Sequence, residues 1–336
     1  GPALIDRALL DALCRAVDFS FYGVVKENLI GAEKFEGIDL PAFFSQLKPL
    51  QQVAARHTVG LVDPITAADV KQRVNDGLPE TLEEVVARYG HRYFKLKVGG
   101  DVKADVERLS AIAAVLDPRF DRLGEPYAAS LDGNEQYDDM AGVAALWSRM
   151  KAEPRLQRMM ESILFIEQPV KRQKALESRV EGIDKPVIID ESDESLDAFP
   201  RARAQGYKGV SSKTCKGIYK SLINRARCAV WGNEYFMSGD DLTIQPGLAL
   251  QQDLALVSLL GLTHVERNGQ HYVNGMASLP LAEQDAFLAA HPDLYERSHG
   301  AVRVKISDGN LAIGSLDCPG YASRAMPDWT QIRRTN

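Results

Sequence analysis

The pattern of apolar and polar positions divides the chain into three stretches. Residues 3–17 (ALIDRALLDALCRAV) place apolar side chains at helical spacing with Asp and Arg between them, which predicts an amphipathic helix. Residues 18–56 are mixed, with one further helix expected over 41–47. From His57 onward, short β-branched runs alternate with longer amphipathic stretches. The runs predict strands at 58–62, 93–98, 128–132, 164–167, 187–190, 209–213, 235–238 and 263–266. Between them the spacing predicts helices at 67–76 with 82–89, 102–116, 140–150 with 154–162, 173–182, 196–206, 218–231 and 248–260.

Strand–helix alternation argues for a parallel sheet, and eight such units argue for an α/β fold closed as a (β/α)8 barrel. An open dinucleotide-binding sheet would carry a glycine-rich turn after its first strand, and Gly60-Leu61-Val62-Asp63-Pro64 is not one. After Pro280 the rhythm stops. A helix is expected over 281–292, and residues 301–314 read as two strands joined by a hairpin at Asp308-Gly309-Asn310. A turn-rich tail follows. The organisation expected is a helical lead-in (1–56), a catalytic barrel (57–280) and a C-terminal helix, hairpin and wrap (281–336).

Composition changes this picture little. The chain has 336 residues, 45% of them hydrophobic and 26% charged, which excludes a disordered or fibrous protein. Lys and Arg total 40 against 46 Asp and Glu, giving a net charge of −6, so a broad basic surface for nucleic acid or anionic lipid is not expected. No apolar run approaches the roughly 20 residues of a membrane span. The start, Gly1-Pro2-Ala3-Leu4-Ile5-Asp6-Arg7, is not a signal peptide. Cys14, Cys215, Cys228 and Cys318 show no pairing pattern and read as free thiols of a cytoplasmic protein.

In a barrel the chemistry sits at the C-terminal ends of the strands. Alternation along Tyr93-Phe94-Lys95-Leu96-Lys97-Val98 puts the two lysines on one face and the apolar side chains on the other. The apolar face must meet the helices, so Lys95 and Lys97 point into the barrel. A buried ammonium is costly unless paired. The next three strands each end in a carboxylate: Asp132, followed by Gly133 and Asn134; Glu167, followed by Gln168 and Pro169; Asp190, followed by Glu191 and Ser192. Any one of these acids could be a helix N-cap. Three on consecutive strands repel one another unless a cation neutralises them, and an all-oxygen set suits Mg2+. The sixth strand ends in Lys213, on the far side of the mouth from the lysine pair. Lys216 is expected at a helix start or on the surface.

These motifs resemble the enolase superfamily, and within it the subgroup like muconate-lactonizing enzyme. The resemblance rests on the Lys95-Leu96-Lys97 triplet, Asp132-Gly133-Asn134, Glu167-Gln168-Pro169, Asp190-Glu191-Ser192 and Ser212-Lys213-Thr214-Cys215-Lys216, in order at βα spacing. It implies Asp132, Glu167 and Asp190 as Mg2+ ligands. It implies Lys97 and Lys213 as opposed acid/base groups, with Lys95 tuning the site or meeting a substrate carboxylate. The implied chemistry is abstraction of the proton α to a carboxylate, with Mg2+ stabilising an enediolate. Isomerisation, cycloisomerisation, epimerisation or dehydration would follow. An acid-sugar dehydratase is one specific alternative. A non-catalytic metal- or ligand-binding barrel and a metal-free Schiff-base aldolase are others.

Around this set, Glu191 is expected to pair with Lys213, and Asn134, Asp241 and Glu266 are weaker substrate or supporting candidates. His264 and His271 read as structural. The seventh strand has no histidine base, and the eighth has no Asp-x-Asp pair. The expected partner is a small carboxylate substrate, with a homo-oligomer as the assembly. Family members carry an α+β cap over the mouth, and residues 1–56 are too short and too helical to be one. The expectation is a chain that lacks the lid or a cap that precedes Gly1, with the C-terminal hairpin returning to it.

Overall fold

The fold is given by a computed structural model, which describes residues 2–240, 245–268 and 274–328. Eight parallel strands close on themselves. They are β1 (Gln52–Val59), β2 (Tyr93–Lys97), β3 (Ala128–Asp132), β4 (Ile163–Glu167), β5 (Val187–Ile189), β6 (Gly209–Ser212), β7 (Phe236–Gly239) and β8 (His264–Glu266). Each pairs with the next, and β8 pairs with β1 in register His264–Ala54 through Glu266–Arg56, which closes the (β/α)8 barrel.

The strands are short and buried on both faces, which is why they read as runs rather than as alternation in the outer layer. The crossover helices are α4 (Leu82–Tyr89), α5 (Val102–Leu123), α6 (Met140–Ala152) with α7 (Gln157–Ser162), α8 (Arg172–Ala175), α9 (Ala198–Ala204), α10 (Ile218–Trp231) and α11 (Leu248–Leu259). Their ends are set locally. The Asp101 side chain accepts from the Lys103 and Ala104 amides to start α5, and Gly124, at φ +63°, ends it in the left-handed region. Thr81 caps α4 in the same way. Residues 67–76 form only a single 3-10 turn, Ala67–Asp69, and the fourth crossover holds one helical turn where 173–182 suggested more.

Three helices precede the barrel, α1 (Pro2–Ala16), α2 (Phe21–Lys26) and α3 (Leu40–Ser45), with a two-residue antiparallel pairing of 34–35 and 38–39 between the last two. They lie on the outside of the barrel rather than apart from it. The Arg7 guanidinium donates to Gln252 of α11, and Phe21 stacks on Tyr321 of the C-terminal tail. This second layer explains why α11 is buried on every side, from Leu250 to Leu259.

Two expectations are corrected. The first barrel strand spans Gln52–Val59, not 58–62, so residues 52–56 belong to the barrel. The hairpin near the C-terminus is also differently built. β9 (Tyr295–Ser298) pairs with β10 (Ala301–Val304) across a two-residue turn, His299-Gly300, whose φ values of +45° and +80° fit a type I′ hairpin. The Asp308-Gly309 turn then sends β11 (Asn310–Ala312) not back onto β10 but antiparallel to β1. Following β8, α12 (Leu281–Ala290) packs against this hairpin.

Candidate active site

The C-terminal ends of the strands gather six carboxyl groups and four lysines. Register does the gathering: Lys97, Asp132 and Glu167 are direct neighbours across β2, β3 and β4. Lys95, one inward position deeper, is 1% exposed and ringed by carboxylates. Its Nζ lies 2.8 Å from Asp132, 3.1 Å from Glu167, 2.7 Å from Asp240 and 3.1 Å from Glu266. Burial alone would push the Lys95 ammonium down, but Asp132 and Asp240 foremost outweigh it and hold it well above the usual lysine range.

Lys97 is more open, with its side chain 21% exposed. It donates to Asp132 at 2.5 Å and to the Asn134 amide oxygen. Across the ring, Lys213 donates to Asp190 at 3.0 Å and to Asp240 at 2.5 Å. Burial opposes its charge, and Asp240 and Asp190 more than compensate, so it too lies above the ordinary lysine value.

The carboxylates separate by environment. Glu167 is fully buried, accepts from the Ser211 hydroxyl and is pushed up to about 7 by desolvation. Glu266 accepts from Thr58 and Lys95 and is pushed up to about 8, again mainly by desolvation. Desolvation also opposes the charge on Asp132 and Asp240, but Lys95 leads the attractions that keep both below the ordinary value. Glu191 is raised by burial and by Asp190.

Of the residues expected from sequence, Lys95, Lys97, Asp132, Glu167, Asp190, Lys213 and Glu266 meet in this site. Asn134 links two parts of it: its side chain accepts from Lys97 and donates to Glu191 at 3.0 Å. Glu191 therefore faces Asn134 and not Lys213, which corrects the expected pairing. Asp241 and His271 lie outside the described residues. His264 is half-buried, stacked on Tyr93 and bonded to Arg56.

Two residues were missed. Asp240 follows β7 and bridges Lys95 to Lys213. Counting by twos from Phe236 and Ser238 reaches Asp240, so the strand's own alternation carried the signal. Lys216, expected at a helix start or on the surface, does stand just before α10, but its side chain turns to the site: it donates to the Asp190 carboxylate, to the Asp190 carbonyl at 2.8 Å and to Ser211 at 3.1 Å. The reason is the 3-10 turn Thr214–Lys216, in which side chains three apart lie on one side, so Lys216 returns beside Lys213.

The donor chemistry fits a hard divalent cation. Oxygens of Glu167, Asp190 and Asp240 all lie within 4.8 Å of one another, and Asp132 reaches the same group through Lys95. The Glu167 Oε2 atom is buried and makes only a charge contact with Lys95, without a hydrogen bond. Desolvation disfavours the charged form of Glu167, and a divalent cation beside it would supply the opposite charge that Lys95 alone does not.

Comparison with known proteins agrees with this geometry. Residues 77–321 match the family described as enolase C-terminal domain-like. No match was found among curated proteins. Among solved structures, the L-Ala-D/L-Glu epimerase of Bacillus subtilis is 15% identical, with 95% of this chain and 70% of that one covered at a TM-score of 0.59. An enolase of Bradyrhizobium, complexed with magnesium and mandelic acid, is 17% identical over 98% of this chain and 69% of its own, at 0.60. A mandelate racemase/muconate lactonizing enzyme of Roseovarius nubinhibens ISM is 16% identical over 98% and 71%, at 0.55. At these identities the structures speak for the fold, while the family match covers most of the chain: it belongs to the enolase superfamily, among the enolase C-terminal domain-like barrels.

Proposed function

We propose that this protein is a Mg2+-dependent enzyme that abstracts the proton α to a carboxylate, and that Lys97 and Lys213 carry the proton on opposite faces of the substrate. The observation that carries the reading is their placement. β2 and β6 stand four strands apart in a ring of eight, so the two ammonium groups approach the same carboxylate collar from opposite walls.

Family membership supports the general chemistry; the proposed ligands remain Asp132, Glu167 and Asp190, although the oxygens that cluster are those of Glu167, Asp190 and Asp240, while Asp132 is engaged by Lys95 and Lys97. A proton α to a carboxylate is too weak an acid to leave unaided, and Mg2+, when bound, supplies the positive charge that the deprotonated acid needs. The protein's own groups do the rest. Lys97 has one carboxylate partner, Asp132, and in its neutral amine form would accept the proton at Nζ, becoming the ammonium that Asp132 then holds. Lys213, held by Asp190 and Asp240, is placed to deliver a proton or to hold charge as a leaving group departs. Lys95 has no face open to a substrate and serves as a fixed counter-charge. The products are those of isomerisation, epimerisation, cycloisomerisation or dehydration.

The test is solvent deuterium exchange into a panel of carboxylic acids with Mg2+ present. At least one acid should exchange its α-proton, and Lys97→Ala or Lys213→Ala should slow turnover by about 10²-fold or more with the fold retained. Wild-type turnover in both variants would remove the two-lysine assignment. Full activity in EDTA, with borohydride trapping of a lysine, would replace the reading by Schiff-base chemistry.

A further inference from the structure

Three motifs at the mouth contain residues that the proposed chemistry does not use: Gly133, Gln168, Pro169 and Ser192. They interlock. Gln168 is completely buried, and its side-chain amide makes four hydrogen bonds. Oε1 accepts from the Asp190 amide at 2.8 Å and from the Ser192 amide at 3.1 Å. Nε2 donates to the Val170 carbonyl and to the Ser192 hydroxyl, both at 2.8 Å. The orientation is fixed, because a flipped amide would set its oxygen against a carbonyl and its NH2 against two N–H groups.

The backbone of Gln168 stitches the same strand ends together. Its N–H donates to Ile188 of β5 at 2.9 Å, and its carbonyl accepts from Glu135 at 2.9 Å, in the loop after β3. Gln168 adopts φ +31°, a conformation that a non-glycine residue holds only when its surroundings impose it. Gly133 allows the close approach: a Cβ there would lie 2.5 Å from the Pro169 Cα. The Gly133 N–H donates to the carbonyl of Glu167 at 3.0 Å.

We infer that Gln168 is a positioning residue that sets the Asp190 carboxylate relative to Glu167 and thereby tunes the affinity of the site for a divalent cation. The inference rests on the metal reading above. Asp190 lies just beyond the last residue of β5, where the ladder no longer holds it, and the Gln168 amide replaces the missing strand contact. Its influence extends through Ser192, whose hydroxyl donates onward to the Arg172 carbonyl at 3.0 Å. Supporting partners of this kind change metal affinity by about 10- to 100-fold when removed.

The test measures Mg2+ binding by calorimetry, alongside the thermal midpoint. Gln168→Met keeps the length and apolar stem and removes all four bonds. It should weaken Mg2+ binding about 10-fold or more. Ser192→Ala should weaken it less, in the same direction. Tyr127→Phe, which loses a 2.7 Å bond to Asp117 at the opposite end of the barrel, should lower the midpoint and leave Mg2+ affinity unchanged. Wild-type affinity in Gln168→Met overturns the inference and leaves the metal reading standing. If that variant does not fold, wild-type affinity in Ser192→Ala overturns it. A wild-type protein that does not bind Mg2+ overturns the metal reading and this inference with it.

Discussion

Four carboxylates within 3.1 Å of one ammonium make Lys95 the counter-charge around which the other side chains are arranged. Removing one partner from a buried ionic cluster leaves uncompensated charge, at a cost of about 3–5 kcal/mol. Lys95→Met is therefore expected to lower the thermal midpoint strongly, and added Mg2+ to recover part of the loss by binding the native state. A melting curve with and without Mg2+ checks both parts, and a variant that melts like the wild type would mean that Lys95 is not the counter-charge.

Most of this residue-scale arrangement was legible. Alternation put Lys95 and Lys97 inward, and the carboxylates stood where strands gave way to loops. What stayed hidden was one contact made by a turn and one residue just past a strand end. Lys216 reaches Asp190 because three residues coil, and Asp240 was passed over for Asp241 because the end of β7 was set one residue early.

Elements near the C-terminus show the same limit from the other side. The Asp308-Gly309 turn was readable, but its strand partner was not, because residues 301–304 were already taken by β9 through the less conspicuous His299-Gly300 turn. Which strand pairs with which depends on contacts far apart in sequence, and Asn310 meets Ala54 across most of the chain. The turn itself is tightly docked. The Gly309 N–H donates to Tyr89 at 2.7 Å, and a Cβ on Gly309 would lie 2.6 Å from the carbonyl oxygen of Gly90. Gly300 has a similar φ, +80° against +74°, yet nothing lies within 4 Å of its would-be Cβ. Alanine at either site incurs the left-handed penalty of about 1 kcal/mol, and only Gly309→Ala adds a clash with backbone. Gly309→Ala should therefore lower the thermal midpoint further than Gly300→Ala. Equal losses would show that the α4 end and the turn can move apart without cost.

Across the whole molecule, three histidines far apart in the chain are folded in neutral form. His91 is 1% exposed, and its Nδ1 bonds the Ala55 carbonyl at 2.9 Å between the barrel wall and α4. Burial pushes it down to about 4 from 6.5, and likewise pushes His291 to about 4 and His264 to about 3. The groups facing His91 are the His57 ring at 5.2 Å and the Tyr89 ring at 5.9 Å, and neither supplies a negative charge near pH 6. His264 faces the Arg56 guanidinium, so protonation there sets two cations together.

The unfolded chain takes up protons at these sites below about 6.5, while the folded chain does so only near 3 to 4. Their contribution to stability is therefore complete above about 6.5, shrinks as the pH falls, and is lost once the folded values are passed. For a fully buried group such as His91 the whole effect is of the order of 3 kcal/mol. His91→Gln removes the titration and can still donate to Ala55. Urea unfolding at pH 7 and pH 5 should show the wild type losing more stability between the two than the variant does. Equal losses would mean that His91 takes up its proton in the folded protein as readily as in the unfolded chain, leaving His264 and His291 as the buried histidines that oppose acidification.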